Sequence, residues 1–143
     1  MVARFEKTAG IEISGRRVGH GHPCFIIAEA GVNHNGDMAM ARSLIDAAVA
    51  AQADAVKFQT FTAASLVTAA APKAEYQKAT TDAGESQMEM IRRLELSPED
   101  HRELMAYCEK RSIIFMSSFF DEESADLLEG LDMAVFKVPS GEI

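Results

Sequence analysis

Short apolar runs alternate along this chain with segments whose apolar residues recur at helical spacing. The runs are almost continuously apolar, which is typical of strands covered on both faces of a sheet. The segments between them place apolar residues three and four positions apart, as amphipathic helices do. We predict strands at residues 24–30, 54–60, 112–120 and 133–142, and helices at residues 38–52, 97–111 and 121–130.

Turn and capping residues mark the boundaries of several elements. Residues 11–18 divide around a Ser-Gly pair and predict a β-hairpin. Ser97, followed by a proline and by Asp100, has the spacing of a helix capping box. A short helix is predicted at residues 86–95, whereas residues 61–85 form a long connection with weak periodicity. Strands that alternate with helices in this order predict a parallel sheet with right-handed crossovers.

Composition and charge narrow the classes of partner. The 143 residues, 48% of them hydrophobic, suffice for one domain with a substantial core. A formal net charge of −8 leaves no basic surface for nucleic acid or for an anionic membrane. The absence of a signal-peptide pattern and of a long apolar stretch predicts a cytoplasmic protein. Cys24 and Cys108 each lie in an apolar pattern, so we expect two core thiols and no zinc site.

Polar residues gather at the carboxyl end of each predicted strand, where parallel α/β folds bind their ligands. Lys57 and Lys137 would form a cationic pocket in an acidic protein, and lysine serves as a point charge for phosphate or carboxylate. Glu29 beside them suits hydroxyl binding or proton transfer. The pattern predicts a site for a small phosphorylated or carboxylated substrate together with a polyol. Its members are Glu29, Lys57, Gln59, Thr60, Ser117, Ser118, Lys137, Ser140 and Glu142.

Each of these residues, taken singly, also fits an ordinary structural role. A strand-end lysine is commonly a solvated side chain, and small hydroxyl residues can simply end a strand. Asn33 and His34 suit a turn. We expect His34 to be a hydrogen-bonding loop residue, because no second metal ligand lies at a suitable spacing. The joint placement at four strand ends is what favours a substrate site.

Four segments match the motifs of a known family, in order and at similar spacing. They are IAEAGVNHNGD (27–37), DAVKFQT (54–60), FMSSFFDEES (115–124) and FKVPSGEI (136–143). Together they resemble the sialic acid synthase family, which includes N-acetylneuraminate, legionaminate and pseudaminate synthases and spore-coat polysaccharide proteins. The resemblance implies an α/β fold, a TIM (β/α)8 barrel, of which this chain would hold the N-terminal half as about four βα units. We therefore expect an N-terminal segment with the hairpin at residues 1–22 and a half-barrel at residues 23–143.

The resemblance also implies an activity. Members condense phosphoenolpyruvate with an open-chain N-acetylated amino sugar, giving a nonulosonic acid and phosphate, and they require a divalent metal, Mn²⁺ or Mg²⁺. The implied metal ligands lie on later strands, so none is expected in this chain. The implied partners are these two small molecules, with no nucleic acid or membrane, in a homodimer when the protein is full length.

Site residues carry over position by position from the same resemblance. Catalytic roles fall on Glu29, Lys57 and Lys137, with Glu29 a candidate for proton transfer. The implied substrate-binding residues are Asn33 in the first loop, Gln59 near the acceptor sugar, Ser118 and Ser140 at phosphoenolpyruvate, and Glu142 near the reaction centre.

Other functions stay open at this level. Lys57 or Lys137 is also the kind of residue that forms a Schiff base in an aldolase. A related 3-deoxy-sugar-acid synthase would keep the condensation with a sugar phosphate as acceptor. A third alternative is a non-catalytic binding module built from a half-barrel. Because a complete barrel needs about 250 residues, we expect the chain to be a fragment that is inactive by itself.

Overall fold

The structure is a computed structural model that describes residues 10–66 and 86–142. Its first element is the predicted hairpin: β1, Ile11–Ile13, pairs antiparallel with β2, Arg16–Val18. Ser14 and Gly15 form the turn, with φ angles of 46° and 80°. Positive φ at both central positions is what a two-residue hairpin turn requires. The hairpin prediction is confirmed.

The described part of the chain then forms a parallel sheet of four strands in the order β3-β4-β5-β6. The strands are β3, Ile27–Gly31, β4, Ala55–Thr60, β5, Ile114–Phe119, and β6, Phe136–Lys137. Every neighbouring pair is parallel and each strand follows its neighbour in the chain. This is the arrangement of consecutive βα units in one part of a barrel, so the predicted fold class is confirmed.

Four helices follow the periodicity with changes at their ends, whereas the short helix at Ala63–Leu66 lies in the predicted connection and was not predicted. They are α1, Met38–Ala50, α2, Ala63–Leu66, α3, Gln87–Arg92, α4, Pro98–Lys110, and α5, Glu122–Gly130. Helix α1 ends two residues before the predicted boundary. Gln52, just beyond it, has a φ of 60° and cannot continue the helix.

Side-chain oxygens cap the helices at their amino ends. The capping box predicted before α4 is present, since the Ser97 hydroxyl accepts from the Asp100 N–H and the Asp100 carboxylate accepts from the Ser97 N–H. Asp121 caps α5 and also accepts a hydrogen bond from the Thr62 N–H at 2.9 Å. Asp121 therefore joins the amino end of α5 to the loop after β4.

The core lies between one face of the sheet and the helices α1, α4 and α5. Phe58 of β4 is fully buried and stacks on Phe115 of β5, with ring centroids 5.6 Å apart. Ile45 of α1 and Leu104 of α4 are likewise fully buried. Cys108 of α4 lies in this core as predicted, and burial raises the pKa of its thiol to about 12.

The first apolar run behaves differently from the prediction. Only Ala30 and Gly31 of β3 are buried, while Ile26 is 51% exposed and Cys24 is exposed as well. The expectation that Cys24 is a core thiol is therefore wrong. The physical reason is position in the sheet, because β3 is an edge strand that pairs with β4 alone in the described residues.

The fourth strand is also shorter than the predicted span 133–142. Only Phe136 and Lys137 pair with β5, and a 3₁₀ turn follows at Ser140–Glu142. Pro139 has no backbone N–H with which to extend the ladder. None of the helices in residues 10–66 and 86–142 is long and apolar enough to cross a bilayer.

Candidate functional site

Lys57 stands at the centre of the site, on the face of β4 that points away from the helices. Val56 and Phe58 belong to the core beneath the helices, and alternation along a strand directs Lys57 to the opposite face. Its Nζ lies 2.6 Å from Glu29 Oε2 and donates to Ser118 Oγ at 3.2 Å. The Lys57 side chain is 11% exposed and that of Glu29 is 53% exposed. A nearly buried ammonium group is thus held between β3 and β5, with one open carboxylate beside it.

The register of the sheet assembles the other strand residues of the predicted site. Glu29 pairs with Lys57, Gln59 pairs with Ser118, and Ser118 pairs with Lys137. Paired residues of parallel strands point to the same face, so all five lie on the face opposite the helices. Lys137 is exposed, and its Nζ donates to its neighbour's carbonyl, Val138 O, at 2.8 Å. The contacts at Lys57 join Glu29 and Ser118, while Lys137 and Gln59 are placed beside them by register.

A bulge in β3 brings the backbone close to this group. The register shifts between Glu29 and Gly31, and Gly31 has a φ of 54°. A methyl group on Gly31 would lie 3.3 Å from Glu29 Oε1 and 3.8 Å from Gln59 Nε2. The Gly31 Cα is therefore flanked by the carboxylate and the amide, and both the space and the backbone conformation favour glycine.

The first loop holds the remaining β3-side candidate. Asn33 is exposed, and its backbone N–H donates to Ala30 O at 3.1 Å. His34 is fully buried, with its ring 6.1 Å from that of Phe58, and its Nδ1 accepts from the Gly36 N–H at 3.1 Å. The prediction that His34 is a hydrogen-bonding loop residue is confirmed. Because Nδ1 accepts, Nε2 carries the hydrogen, and this atom has no partner among the described residues.

Two further candidates lie past the fourth strand. Ser140 is exposed at the start of the 3₁₀ turn, and Glu142 ends that turn. The Glu142 side chain lies outside the described part of the structure. Neither residue is joined to Lys57 by a described contact, so their place in the site rests on the strand end they share with Lys137.

A second polar group lies behind the sheet, and it contains Thr60 and Ser117, which sequence analysis grouped with Lys57 in the substrate site. Thr60 Oγ1 is 2.8 Å from His101 Nε2 and 2.6 Å from Ser117 Oγ, and His101 Nδ1 is 2.8 Å from Ser97 O. Burial lowers the pKa of His101, against the raising effects of the Ser97 carbonyl and Asp100. The prediction that Thr60 and Ser117 share a face with Lys57 is therefore wrong, because alternation along β4 and β5 directs them to the helix side with Phe58. No spacing in the sequence linked them to His101.

Within residues 10–66 and 86–142, no three His, Cys, Asp or Glu side chains are grouped so that they could hold a metal ion. The residues near Lys57 offer one open carboxylate, hydroxyls and an amide. This chemistry suits an organic anion and a polyol.

A comparison with known protein families identifies the family of this chain. A family model described as the NeuB family matches residues 44–143. The chain belongs to the NeuB family. This confirms the resemblance that the four motifs carried. The match includes β4, β5 and β6, and therefore Lys57, Ser118 and Lys137.

Named relatives of this NeuB-family chain include sugar-acid synthases. It is 53% identical over 120 residues to the N,N'-diacetyllegionaminic acid synthase of Legionella pneumophila, an alignment that covers 84% of this chain and 34% of that protein. Among solved structures, the sialic acid synthetase of Leptospira borgpetersenii superposes with a TM-score of 0.74 at 27% identity, covering 91% of this chain and 41% of that one. The SpsE protein of Bacillus subtilis, named for spore coat polysaccharide biosynthesis, gives 0.68 at 37% identity over 91% and 33%.

The NeuB-family chain spans about a third of the length of the relatives it matches, 34% of the Legionella pneumophila synthase and 35% of the N,N'-diacetyllegionaminic acid synthase of Campylobacter jejuni. The shared part contains the parallel strands and the Lys57 group. What a whole protein does with these residues is a separate inference.

Proposed function

We propose that residues 23–143 form the first half of a (β/α)8 barrel in a phosphoenolpyruvate-dependent synthase. The proposed reaction joins phosphoenolpyruvate to an N-acetylated amino sugar, consumes one water, and gives a nonulosonic acid and phosphate. The single observation that carries the proposal is the nearly buried Lys57 ammonium, bound to Glu29 at 2.6 Å and to Ser118 at 3.2 Å. Membership of the NeuB family and the names of the relatives support the choice of substrates.

Lys57 and Lys137 suit the anionic donor. Both lie on one face of the sheet, and lysine acts as a point charge for phosphate and carboxylate groups. The Ser118 hydroxyl accepts from Lys57, so its own hydrogen is free to donate to a substrate oxygen. We assign Ser140 the same role next to Lys137. This end of the site would bind phosphoenolpyruvate.

Glu29 and Gln59 suit the acceptor sugar. Glu29 uses Oε2 to hold Lys57 and has Oε1 beside Gly31, so its half-exposed carboxylate can accept from a sugar hydroxyl or move a proton. The Gln59 amide next to it offers both a donor and an acceptor. Asn33 and Glu142 are assigned to the same end.

The same proposal extends to the whole protein. It includes a divalent metal, Mn²⁺ or Mg²⁺, whose ligands are not found among the described residues. It also includes a cytoplasmic location and a homodimer, on the ground of family membership.

Glu29 at 2.6 Å stabilises a positive Lys57, which suits a fixed charge better than the neutral amine of a Schiff-base aldolase.

Phosphate release tests the proposal directly. The native protein is incubated with phosphoenolpyruvate, Mn²⁺ and a panel of N-acetylated amino sugars, and phosphate and sugar acid are measured together. We expect equal amounts of both, and only when donor and acceptor are present. Sugar phosphates form the second arm, and borohydride trapping with pyruvate forms the third. Product from sugar phosphates alone, or a trapped Lys57 or Lys137 adduct, would replace the proposal with one of its alternatives.

A further inference from the structure

The hydrogen-bonded group behind the sheet consists of His101, Thr60 and Ser117, and we call it the outer polar chain. All three residues are at most 2% exposed. Phe115 packs edge-on against the His101 ring, at a centroid distance of 6.3 Å. Polar groups in such a place destabilise the fold unless each is hydrogen-bonded. The three side chains are almost completely shielded from solvent, so they rely on one another for hydrogen bonds.

The outer polar chain has one arrangement of hydrogens. The Ser97 carbonyl can only accept, so His101 Nδ1 donates to it. Neutral His101 then accepts at Nε2 from the Thr60 hydroxyl, at 2.8 Å. Because Thr60 donates its one hydroxyl hydrogen to His101, Ser117 donates to Thr60 Oγ1 at 2.6 Å. Helix α4, strand β4 and strand β5 are thereby connected by a directed series of bonds.

The two consecutive serines of β5 are bound to β4 from opposite faces. Ser117 pairs with Phe58 but binds Thr60, two residues further along β4. Ser118 pairs with Gln59 but binds Lys57, two residues earlier. The two bonds run along crossing diagonals, so a slip of β5 in either direction lengthens one of them.

We propose that Thr60, oriented by His101, is a positioning residue that acts through Ser117 to hold Ser118 at Lys57. The bond behind the sheet fixes the end of β5, and Ser118 is the next residue on the opposite face. The consequence for catalysis rests on the proposed function of Lys57 and Ser118 as donor-binding residues. Positioning of Ser118 itself is a property of the fold and does not depend on that function.

Removal of one hydroxyl tests this inference. Thr60→Val keeps the shape of the side chain and removes the bonds to His101 and Ser117, whereas Thr60→Ser restores the hydroxyl. Val56→Ala is the matched control, because Val56 is fully buried on the same face of the same strand and away from the outer polar chain. If Thr60→Val does not fold, Ser117→Ala breaks the same link at its other end.

Amide hydrogen exchange in the native protein is the first readout. We expect Thr60→Val to speed exchange at Gln59 and Ser118 by about tenfold, the size of one lost hydrogen bond. Thr60→Ser should return these rates to within about threefold of the original, on the same scale. Unchanged rates at Ser118 in Thr60→Val, or the same increase there in Val56→Ala, would overturn the positioning role.

The second readout is the KM for phosphoenolpyruvate. Thr60→Val should raise it by about tenfold with little change in kcat, and Val56→Ala should leave it within about twofold at an equal loss of stability. A native protein that never releases phosphate would defeat the proposed function, while the exchange rates would still decide the positioning role. Faster exchange at Ser118 with an unchanged KM would show that the catalytic part of the inference is wrong.

Discussion

Replacement of Lys57 should separate function from stability. Lys57→Met keeps an unbranched apolar stem of similar length and removes the ion pair with Glu29 and the hydrogen bond to Ser118. Each such bond contributes about 1 kcal/mol net, and a pair with one half-exposed partner lies at the low end. Removal of the ammonium also removes its desolvation cost. We therefore expect the free energy of unfolding to fall by about 1 kcal/mol or less.

Glu29→Gln should cost more stability than Lys57→Met, although Glu29 is the more exposed partner. It leaves the Lys57 ammonium, 11% exposed, without its opposite charge. Breaking a fully buried pair in this way costs about 3–5 kcal/mol, and the opening to water beside Glu29 reduces this to about 1–2 kcal/mol. The variant at the more exposed residue, Glu29, should therefore lose more stability than the variant at the nearly buried Lys57.

The assay combines urea unfolding with binding. Unfolding is followed by far-UV circular dichroism, because the chain contains no tryptophan, and binding of phosphoenolpyruvate is measured by calorimetry. Lys57→Met should weaken binding by about 10- to 100-fold, the usual cost of losing a charge-assisted contact. Lys110→Met, at an exposed position on α4, is the control and should change neither quantity. A loss of stability above about 3 kcal/mol in Lys57→Met, the cost of an uncompensated buried charge, or full retention of binding would refute this reasoning.

Four further predictions follow from other parts of the site and fold. In steady-state kinetics, Lys137→Met should raise the KM for phosphoenolpyruvate far more than the KM for the acceptor sugar. Gln59→Ala should do the reverse, and equal effects of both variants on both KM values would show that the roles are misassigned. Gly31→Ala should lower the free energy of unfolding by about 1–2 kcal/mol, since a residue with a side chain must then adopt a positive φ; an unchanged urea midpoint would contradict this. Burial alone would raise the pKa of Asp121, but hydrogen bonds from Thr62 and Ser124 outweigh it and lower the pKa below its ordinary 3.8, so its contribution to stability is present above that pH and lost as the pH falls through the lower folded value. Asp121→Asn should therefore flatten the acid limb of the stability–pH curve, and parallel curves for the two proteins would count against the assignment. The isolated 143-residue chain should self-associate in sedimentation experiments, since β3 and β6 each have one unpaired edge in the described sheet. It should also release no phosphate, since the described residues hold no group of metal ligands; a well-behaved monomer with activity would show the opposite.

Elements set by local chemistry could be predicted from the sequence. The capping box at Ser97 and the hairpin turn at Ser14 depend on residues a few positions apart, and both are present. Strand β4 lies within one residue of its predicted span, because β4 has neighbours on both sides and its apolar run is buried as expected. The facing of Lys57 and Gln59 follows from simple alternation.

Features set by neighbours distant in the chain could not be predicted. The same kind of apolar run is buried in β4 and exposed at Ile26, because coverage depends on the position of a strand in the sheet. The bond from Lys137 to the Val138 carbonyl is a choice of side-chain rotamer that no pattern encodes. The outer polar chain joins residues from three elements, and no spacing within the sequence connects Thr60 to His101.

The bulge in β3 makes the number of residues in the first loop matter as well as their identity. Ala30 is the extra residue between Glu29, which pairs with Lys57, and Gly31, which pairs with Phe58. Deletion of one residue here would remove the bulge. The residues that follow, as far as the Asp37 cap, would then shift by one position along the strand. No substitution nearby could restore the lost residue. Over evolutionary time this segment should therefore keep a constant length, in addition to the glycine at position 31.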